Sequence, residues 1–329
     1  VGATSGLWLA TWVLQVMPLF FFVGGFSNLK SYEAMRARGL GYRDFMRARV
    51  SRLLAPTAVF IGAWIPVQVS LHLLDLGGEG LVRLSMLPFG PLWFLLVYMS
   101  MIALTPAMLR LHRVHGVRVV VVLVGLALLA DAARFGSGIP YVGLLNLATV
   151  WLNAHQLGFF YADGSLERAG RRAHVAMALA GLAALVVLTN VGVYPRSMVG
   201  TDIERASNMN PPTLCIVALT FWQLGLAMTL RERAGKWLQR SRPWMGVIAI
   251  NGMIMTVYLW HLTAYLVTIQ LLYPLGLGHP TDSTGSWWLQ RPLWLVAPAL
   301  VLAGFVAVFG RFERPSNRAR RTEASEGPS

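Results

Sequence analysis

Two arginines three residues apart, Arg49 and Arg52, are the residues of this chain best suited to bind an anion. They end a basic stretch and directly precede an apolar segment. Residues at i and i+3 share one face of a helix, so the two guanidinium groups would project from the same side. Arginine stays charged and donates bidentate hydrogen bonds, which suits a phosphate or pyrophosphate. The alternative is that both arginines are topology anchors whose side chains reach lipid headgroups.

Polar side chains inside apolar segments form the second group of candidates. His155 lies beside Asn153 and Gln156 in one segment, and Asn251 precedes His261 in another. An unpaired polar group in lipid costs several kcal/mol, so we expect these side chains to face a bundle interior or a wet cavity. For each histidine the alternative is a single interhelical hydrogen bond.

The segment that carries His261 also predicts a polar stripe. Asn251, Tyr258 and Tyr265 lie at offsets from His261 that approximate whole helical turns. His261 lies near the centre of this long segment, so we expect it near the middle of the bilayer, where its ring should face other helices rather than lipid. The remaining histidines lie at segment ends or in loops, where we expect no functional role: His72, His112, His115, His174 and His279.

Three further residues within or at the edge of apolar segments are expected to be structural. Asp131 is followed one turn later by Arg134, which favours an ion pair near the outer membrane face over a catalytic pair. Trp93 opens a segment after Gly-Pro and is typical of an interfacial aromatic anchor. The single cysteine, Cys215, lies inside an apolar segment, so no disulfide framework, thiol metal site or other metal site is predicted.

Apolar segments of about 20 residues must position these side chains, and each is long enough to cross a hydrocarbon core of about 30 Å as a helix. The chain of 329 residues is 56% hydrophobic and 13% charged, with a mean hydropathy of +0.56. Composition and pattern predict an all-α, polytopic transmembrane bundle of about nine spans. The predicted segments are 7–26, 53–74, 91–109, 119–135, 141–161, 174–193, 213–230, 245–273 and 292–310.

The basic residues of the chain are concentrated in alternate connections, and this pattern indicates the membrane topology. A net charge of +14 would suggest nucleic acid in a soluble protein, but here 23 of the 28 basic residues lie in alternate connections between segments. The positive-inside rule assigns those connections to the cytoplasm, and we exclude nucleic acid as a partner. Arginine far exceeds lysine, which favours a bacterial source with high GC content.

The same rule makes predictions about both ends of the chain. The C-terminus is expected inside, and an odd number of spans then places Val1 outside, so we expect one more helix upstream of Val1. The alternative is a protein whose N-terminus is truly outside. Residues 1–314 are predicted to form one membrane-embedded domain, and 315–329, rich in Arg, Ser and Glu, a disordered cytoplasmic tail.

Three stretches of this chain carry a family resemblance. They are the apolar run from Met17 to Phe26 that ends in Gly-Gly-Phe, the pattern Phe45-x3-Arg49-x2-Arg52-Leu-x2-Pro56, and Pro91-Leu-Trp-Phe-Leu95. In order and spacing they resemble acyltransferase family 3, the integral-membrane O-acyltransferases of bacterial cell envelopes. The resemblance covers roughly residues 7 to 310.

The resemblance implies a ten-span protein of the inner membrane with both ends in the cytoplasm. Its first helix would carry a basic residue and the catalytic His upstream of Val1, which leaves His261 as a weak candidate here. The implied reaction moves an acyl group from cytoplasmic acyl-CoA, a co-substrate rather than a bound cofactor, to a hydroxyl of an envelope glycan, glycolipid or other small acceptor.

The residues of this chain take the following expected roles. Arg49 and Arg52 would bind the CoA phosphates, while the cavity-lining candidates are Asn28, Trp93, Asn251 and His155. The alternative hypothesis is a transporter or flippase for a lipid-linked or anionic substrate, because polar residues at mid-membrane and broken helices suit that function equally.

Overall fold

A computed structural model describes residues 6–73, 78–200, 207–278 and 285–313. The described residues are 85% helical, and no strand lies among them. Its helices are α1 Trp8–Leu14, α2 Met17–Ala37, α3 Tyr42–Leu73, α4 Gly78–Met86, α5 Leu92–His115, α6 Val117–Gly136, α7 Asn146–Ala162, α8 Ser165–Arg168, α9 Gly170–Val191, α10 Leu214–Leu238, α11 Ser241–Asn251, α12 Ile254–Leu272 and α13 Gly285–Phe309.

The prediction of a polytopic helical membrane protein is confirmed. Within the described residues, eight stretches are long and apolar enough to cross a membrane. The predicted segment 141–161 is the one that falls outside this set, because its helix, α7, has only 17 residues. That length is at the lower limit for a span. The predicted tail 315–329 lies outside the described residues.

The first predicted segment and the loop after it differ from the prediction. The chain forms two helices there, α1 and α2, with a break at Gln15 and Val16 just before Pro18. Proline is tolerated in the first turn of a helix, so it marks the start of α2 rather than a kink. Helix α2 then continues through residues 27–37, so Asn28 lies on a helix and not in the predicted inner loop.

The predicted polar stripe through 245–273 is wrong in its first half. Helix α11 ends at Asn251, and α12 begins at Ile254 after a turn at Gly252 and Met253. Asn251 is therefore exposed at the end of a separate helix, and the stripe cannot run from it to His261. Glycine is a weak helix former, which explains the break at this position.

The chain divides into two compact units. The first consists of Val1–Met46 and Leu96–Trp237, and the second of Arg47–Leu95 and Leu238–Ser329. Helix α7 is the most buried helix of the first unit, with eleven buried residues. A core of that unit is formed by Phe22, Val120, Leu157, Leu224 and Met228.

Helices α2 and α7 approach each other closely because each contributes a glycine to the contact. A Cβ atom on Gly25 would collide with the carbonyl oxygen of His155, and one on Gly158 would lie 2.6 Å from the backbone nitrogen of Phe26. Small residues at such a contact allow membrane helices to pack backbone to backbone. This contact sets the position of every polar side chain on α7 relative to α2.

The second unit has an aromatic core of its own. Phe60 and Trp64 of α3 pack with Leu259, Trp260 and Leu266 of α12. The indole of Trp260 also stacks on two rings of α13, with centroid distances of 4.7 Å to Phe305 and 4.1 Å to Phe309. These contacts join α3, α12 and α13.

Candidate functional site

Two predicted cavity-lining residues of the first unit are hydrogen-bonded to each other. Asn28 Nδ2 of α2 lies 3.2 Å from His155 Nε2 of α7, and both side chains are fully buried. An amide nitrogen only donates, so Nε2 is the unprotonated ring nitrogen and the proton of the neutral imidazole is on Nδ1. The interhelical hydrogen bond considered as the alternative for His155 is therefore present.

Part of this polar pair has no partner among the described residues. Asn28 Oδ1 and His155 Nδ1 are both buried and lack a hydrogen bond there, and so do both amide atoms of Asn153, two residues before His155. An unpaired buried polar atom costs about 1–3 kcal/mol, and such groups are uncommon in native proteins. A cluster of them on one helix is a signal of function.

A second polar chain involves α7 and the end of α5. His112 Nε2 lies 3.0 Å from Asp163 Oδ2, and Gln156 Nε2 donates to His112 Nδ1 at 2.8 Å. The His112 ring also meets Phe160 edge to face at 4.6 Å. His112 was expected to lie at a segment end without a functional role, and the structure gives its buried ring a bridging position between two helices.

Asp163 lies just beyond α7 and is held as a carboxylate. Partial burial acts to raise its pKa, but hydrogen bonds from the Ser165 hydroxyl and backbone N–H and from His112 outweigh this, so the net effect lowers the pKa. The Ser165 N–H contact is 2.8 Å. Asp163 therefore stays charged at neutral pH and can anchor the His112 ring.

A pocket of about 480 Å³, which we call the Arg36 pocket, lies near the C-terminal ends of α2 and α5. It is lined by Tyr32, Glu33, Arg36, Pro106, Leu109, Arg110 and Arg113. Arg113 is paired with Glu33 at 3.0 Å. No described carboxylate lies within 4.0 Å of Arg36 or Arg110. These two guanidinium groups give the pocket the charge needed to bind a phosphate.

The Arg36 pocket and the buried polar groups lie on the same two helices. Along α2, Asn28, Tyr32 and Arg36 are spaced four residues apart, which keeps them near one face of the helix. On α5, His112 lies between the pocket residues Arg110 and Arg113. The first unit thus combines a basic pocket at helix ends with polar side chains one to two turns further along.

Arg49 and Arg52 lie in the first half of α3, in the second unit. Arg49 is half-buried, and Arg52 is exposed. Asp44 stands in the first turn of this helix, where a carboxylate is favoured by the helix dipole. Arg49 and Arg52 lie on one helix, as their spacing in the sequence predicted. Their assignment to the CoA phosphates stays a prediction.

His261 and Trp93 are both half-buried in the second unit. His261 Nδ1 lies 2.6 Å from the carbonyl oxygen of Tyr258, in the preceding turn of its own helix. The Tyr258 hydroxyl donates to the Pro91 carbonyl at 2.6 Å, two residues before Trp93. Tyr265, the last residue of the expected stripe, is 46% exposed. Within the expected stripe, Tyr258 and His261 contact each other through this backbone hydrogen bond and through their rings, whose centroids are 5.9 Å apart.

Glu313 was not among the residues singled out from the sequence. Its carboxylate accepts hydrogen bonds from the backbone N–H of Met255 at 2.9 Å and of Thr256 at 2.8 Å, and from the Thr256 hydroxyl at 2.8 Å. These groups are at the start of α12, where unpaired N–H groups attract an anion. Glu313 therefore stabilises the helix that begins after the break at Gly252.

The expected ion pair between Asp131 and Arg134 is not formed. The Asp131 carboxylate accepts hydrogen bonds from Asn146 Nδ2 at 2.8 Å, the Tyr194 hydroxyl at 3.0 Å and the Leu214 backbone N–H at 2.7 Å. The Arg134 guanidinium instead lies over the ring of the adjacent Phe135. Hydrogen bonds, rather than the expected salt bridge to Arg134, therefore hold the Asp131 carboxylate in place.

Apolar helices of spanning length, with buried polar side chains and basic helix ends, define a polytopic integral membrane protein that carries an internal polar site. A family model described as an acyltransferase domain matches residues 2–310. The chain therefore belongs to acyltransferase family 3, as its motifs predicted. No curated protein and no solved structure matched the chain.

Proposed function

We propose that this protein is a membrane O-acyltransferase that takes an acyl group from acyl-CoA and transfers it to a hydroxyl of an envelope glycan, glycolipid or other small acceptor. Family membership supports acyl transfer by a membrane protein. The observation that carries the choice of donor is the Arg36 pocket, in which Arg36 and Arg110 have no described carboxylate partner. A donor that bears several phosphates matches such a pocket.

In the proposed reaction the acceptor hydroxyl attacks the thioester carbonyl carbon. A C–O bond forms, the C–S bond breaks, and the products are an ester and the CoA thiol. A base must take the hydroxyl proton, and a neutral imidazole near pH 7 is suited to this. From the family pattern we propose that this base is a His, and within residues 1–329 we propose His261 for positioning.

Each of the two units contains one set of arginines that we propose, independently of the other set, for binding of the donor. Arg49 and Arg52 are proposed from the family motif, and the Arg36 pocket from its charge and shape. Asn28 and His155 are proposed to line the acyl path, because their unpaired atoms Oδ1 and Nδ1 could bind a polar group of the substrate. Trp93 remains a proposed lining residue, while the exposed position of Asn251 gives it little support.

The proposed location follows from charge. We propose that the protein spans the inner membrane of a bacterium, with the basic helix ends and the C-terminus in the cytoplasm. The Arg36 pocket would then open on the side where acyl-CoA is made. Its lining arginines, including Arg110 and Arg113, belong to the connections that the charge pattern assigned to the cytoplasm.

A transporter or flippase of an anionic lipid-linked substrate would share these features. Inside-out membrane vesicles that contain the protein expressed from its complete gene separate the two functions. We expect label from [¹⁴C]acetyl-CoA or a longer labelled acyl-CoA to appear as ester in the envelope fraction, together with release of CoA thiol. Accumulation of a lipid-linked substrate without consumption of any acyl-CoA would favour transport and contradict the proposal.

A further inference from the structure

A second basic pocket lies at the ends of α9 and α10, on the side that the charge pattern assigns to the cytoplasm. We call it the Lys236 pocket, and its volume is about 410 Å³. Its lining includes the cations Arg171, Arg231, Arg233 and Lys236 and the acids Glu167 and Glu232. Cations therefore outnumber carboxylates in this pocket.

Only one of these cations is neutralised by a described carboxylate. Arg231 Nη1 lies 2.6 Å from Glu167 Oε1, and its guanidinium also lies over the Tyr161 ring at 5.4 Å. No described carboxylate comes within 4.0 Å of the charged groups of Arg171, Arg233 or Lys236. The pocket thus presents three cations that can bind an anion.

An apolar groove of about 410 Å³ lies along the same two helices, further from the basic end. We call it the α9–α10 groove. It is lined by Val124, Met177, Ala180, Gly181, Ala184, Val187, Leu188, Leu214, Val217, Ala218 and Phe221. Apart from Val124 of α6, all of these residues belong to α9 or to α10. Every one of them is apolar, which suits a hydrocarbon chain.

The pocket and the groove lie along one seam between α9 and α10. On α9, Gly170 and His174 of the pocket are followed by Met177 and Gly181 of the groove at intervals of three and four residues. This spacing marks a single helix face. Two glycines keep the seam narrow: Cβ atoms on Gly181 and Gly225 would meet backbone atoms of the opposite helix.

The length of this seam matches one leaflet of a bilayer. From Arg171 to Ala184 the helix rises about 20 Å, at 1.5 Å per residue. A bilayer is about 40–45 Å thick including the headgroup regions, so one leaflet is about 20–22 Å. A lipid whose phosphate lies beside Arg171 would therefore extend its acyl chain to about Ala184.

We propose that the Lys236 pocket and the α9–α10 groove together bind one anionic phospholipid. Its phosphate lies among Arg171, Arg233 and Lys236, and an acyl chain runs along the groove. Charge at one end and an apolar lining at the other select this amphiphile over a free anion, which would leave the groove uncovered. They also select it over a zwitterionic lipid, whose ammonium group the cations would repel.

The test measures lipid binding to the protein expressed from its complete gene. Purified protein in neutral detergent is titrated with dioleoylphosphatidylglycerol or dioleoylphosphatidylcholine, and retained lipid is counted by native mass spectrometry. Arg171→Gln and Arg233→Gln remove charge from the pocket, and Arg172→Gln is the matched control because Arg172 does not line it. Ala184→Phe fills the groove, and Ala183→Phe, at an exposed neighbour outside the groove, is its control.

We expect one phosphatidylglycerol to bind in clear preference to phosphatidylcholine. Each charge-removing variant should weaken this binding about five-fold, from roughly 1 kcal/mol for each basic residue near an anionic lipid. Ala184→Phe should weaken it as well, while Arg172→Gln and Ala183→Phe leave it unchanged. Only variants whose melting temperature in lipid-free detergent equals that of the unmodified protein enter the comparison.

Three results would overturn the proposal. The first is equal retention of the two lipids by the unmodified protein. The second is an equal loss in Arg172→Gln and Arg171→Gln, which would mean diffuse attraction without a site. The third is full competition by glycerol 3-phosphate combined with normal binding in Ala184→Phe, which would assign the pocket to a free anion.

Discussion

Asn28 and His155 join α2 to α7 through a hydrogen bond of 3.2 Å between Nδ2 and Nε2, inside the first unit. The bond holds the neutral imidazole of His155 on α7, which packs against α2, one of the two helices that line the Arg36 pocket. The protonated Nδ1 has no partner among the described residues. A structural role and a substrate-binding role both fit this pair. They predict different responses to substitution.

Asn28→Ala should lower the free energy of unfolding by about 1–3 kcal/mol, because it leaves His155 Nε2 buried and unpaired. The double variant Asn28→Ala, His155→Ala should be less destabilised than the sum of the single variants, since the two side chains interact directly. Unfolding of the purified protein by titration with denaturing detergent measures both effects. If the pair also lines the acyl path, activity per folded molecule falls in each variant. Strict additivity of the two single effects would contradict the contact itself.

Gly25→Ala should destabilise the contact between α2 and α7, because its Cβ would collide with the His155 carbonyl oxygen. Overpacking of this kind costs about 1–3 kcal/mol. Gly125→Ala on α6 is the matched control, since no atom lies within 4 Å of its Cβ position. Thermal unfolding in detergent should show a loss for Gly25→Ala and no loss, or a small gain, for Gly125→Ala. Equal melting temperatures for the two variants would refute the close packing.

Acidification should selectively weaken the contact between Asp163 and His112. The pKa of Asp163 is lowered in the folded protein, so its stabilising contribution is complete above the unfolded pKa of about 3.9 and disappears as pH falls through the lower folded value. Asp163→Asn should therefore be less stable than the unmodified protein at pH 7, and the difference should shrink below about pH 4. Melting temperatures measured between pH 3 and 7 test this, with Glu232→Gln as an exposed acid control. A difference that grows on acidification has the wrong sign for this account.

Arg49→Ala and Arg52→Ala should raise the KM for acyl-CoA more than the KM for the acceptor. Loss of a charge-assisted contact to phosphate removes about 1.5–3 kcal/mol, and less where solvent screens the charge, as at the exposed Arg52. Arg47→Ala, an exposed arginine of the same helix, serves as the control. Normal membrane insertion with an unchanged dependence on acyl-CoA would return Arg49 and Arg52 to the role of topology anchors.

The fold class could be predicted from the sequence because helix length and hydropathy are local properties. Segments 53–74, 119–135 and 213–230 lie within or closely match α3, α6 and α10. The errors occurred where tertiary contacts decide the boundary. Residues 27–37 are polar enough to suggest a loop, yet they continue α2, in which Asn28 and Leu29 are buried. The turn at Gly252 interrupts a segment whose hydropathy is continuous.

The site was predictable only in part. His155 was found because a polar residue inside an apolar segment stands out, and Asn28 was named with the roles that the family resemblance implied. Their contact could not be predicted, since 127 residues separate them. The same applies to His112 and Asp163, 51 residues apart, and to the Arg36 pocket, whose arginines resemble ordinary topology signals in sequence.

The dependence of the initial rate on acyl-CoA concentration tests the central claim most directly. We compare the unmodified protein, expressed from its complete gene, with Arg110→Gln and with Arg118→Gln, an exposed arginine outside the Arg36 pocket. We predict acyl transfer by all three proteins, with a KM for acyl-CoA about ten-fold higher in Arg110→Gln alone and an unchanged KM for the acceptor. Equal donor KM values in the two variants, or no acyl-CoA-dependent transfer by the unmodified protein, would contradict the account.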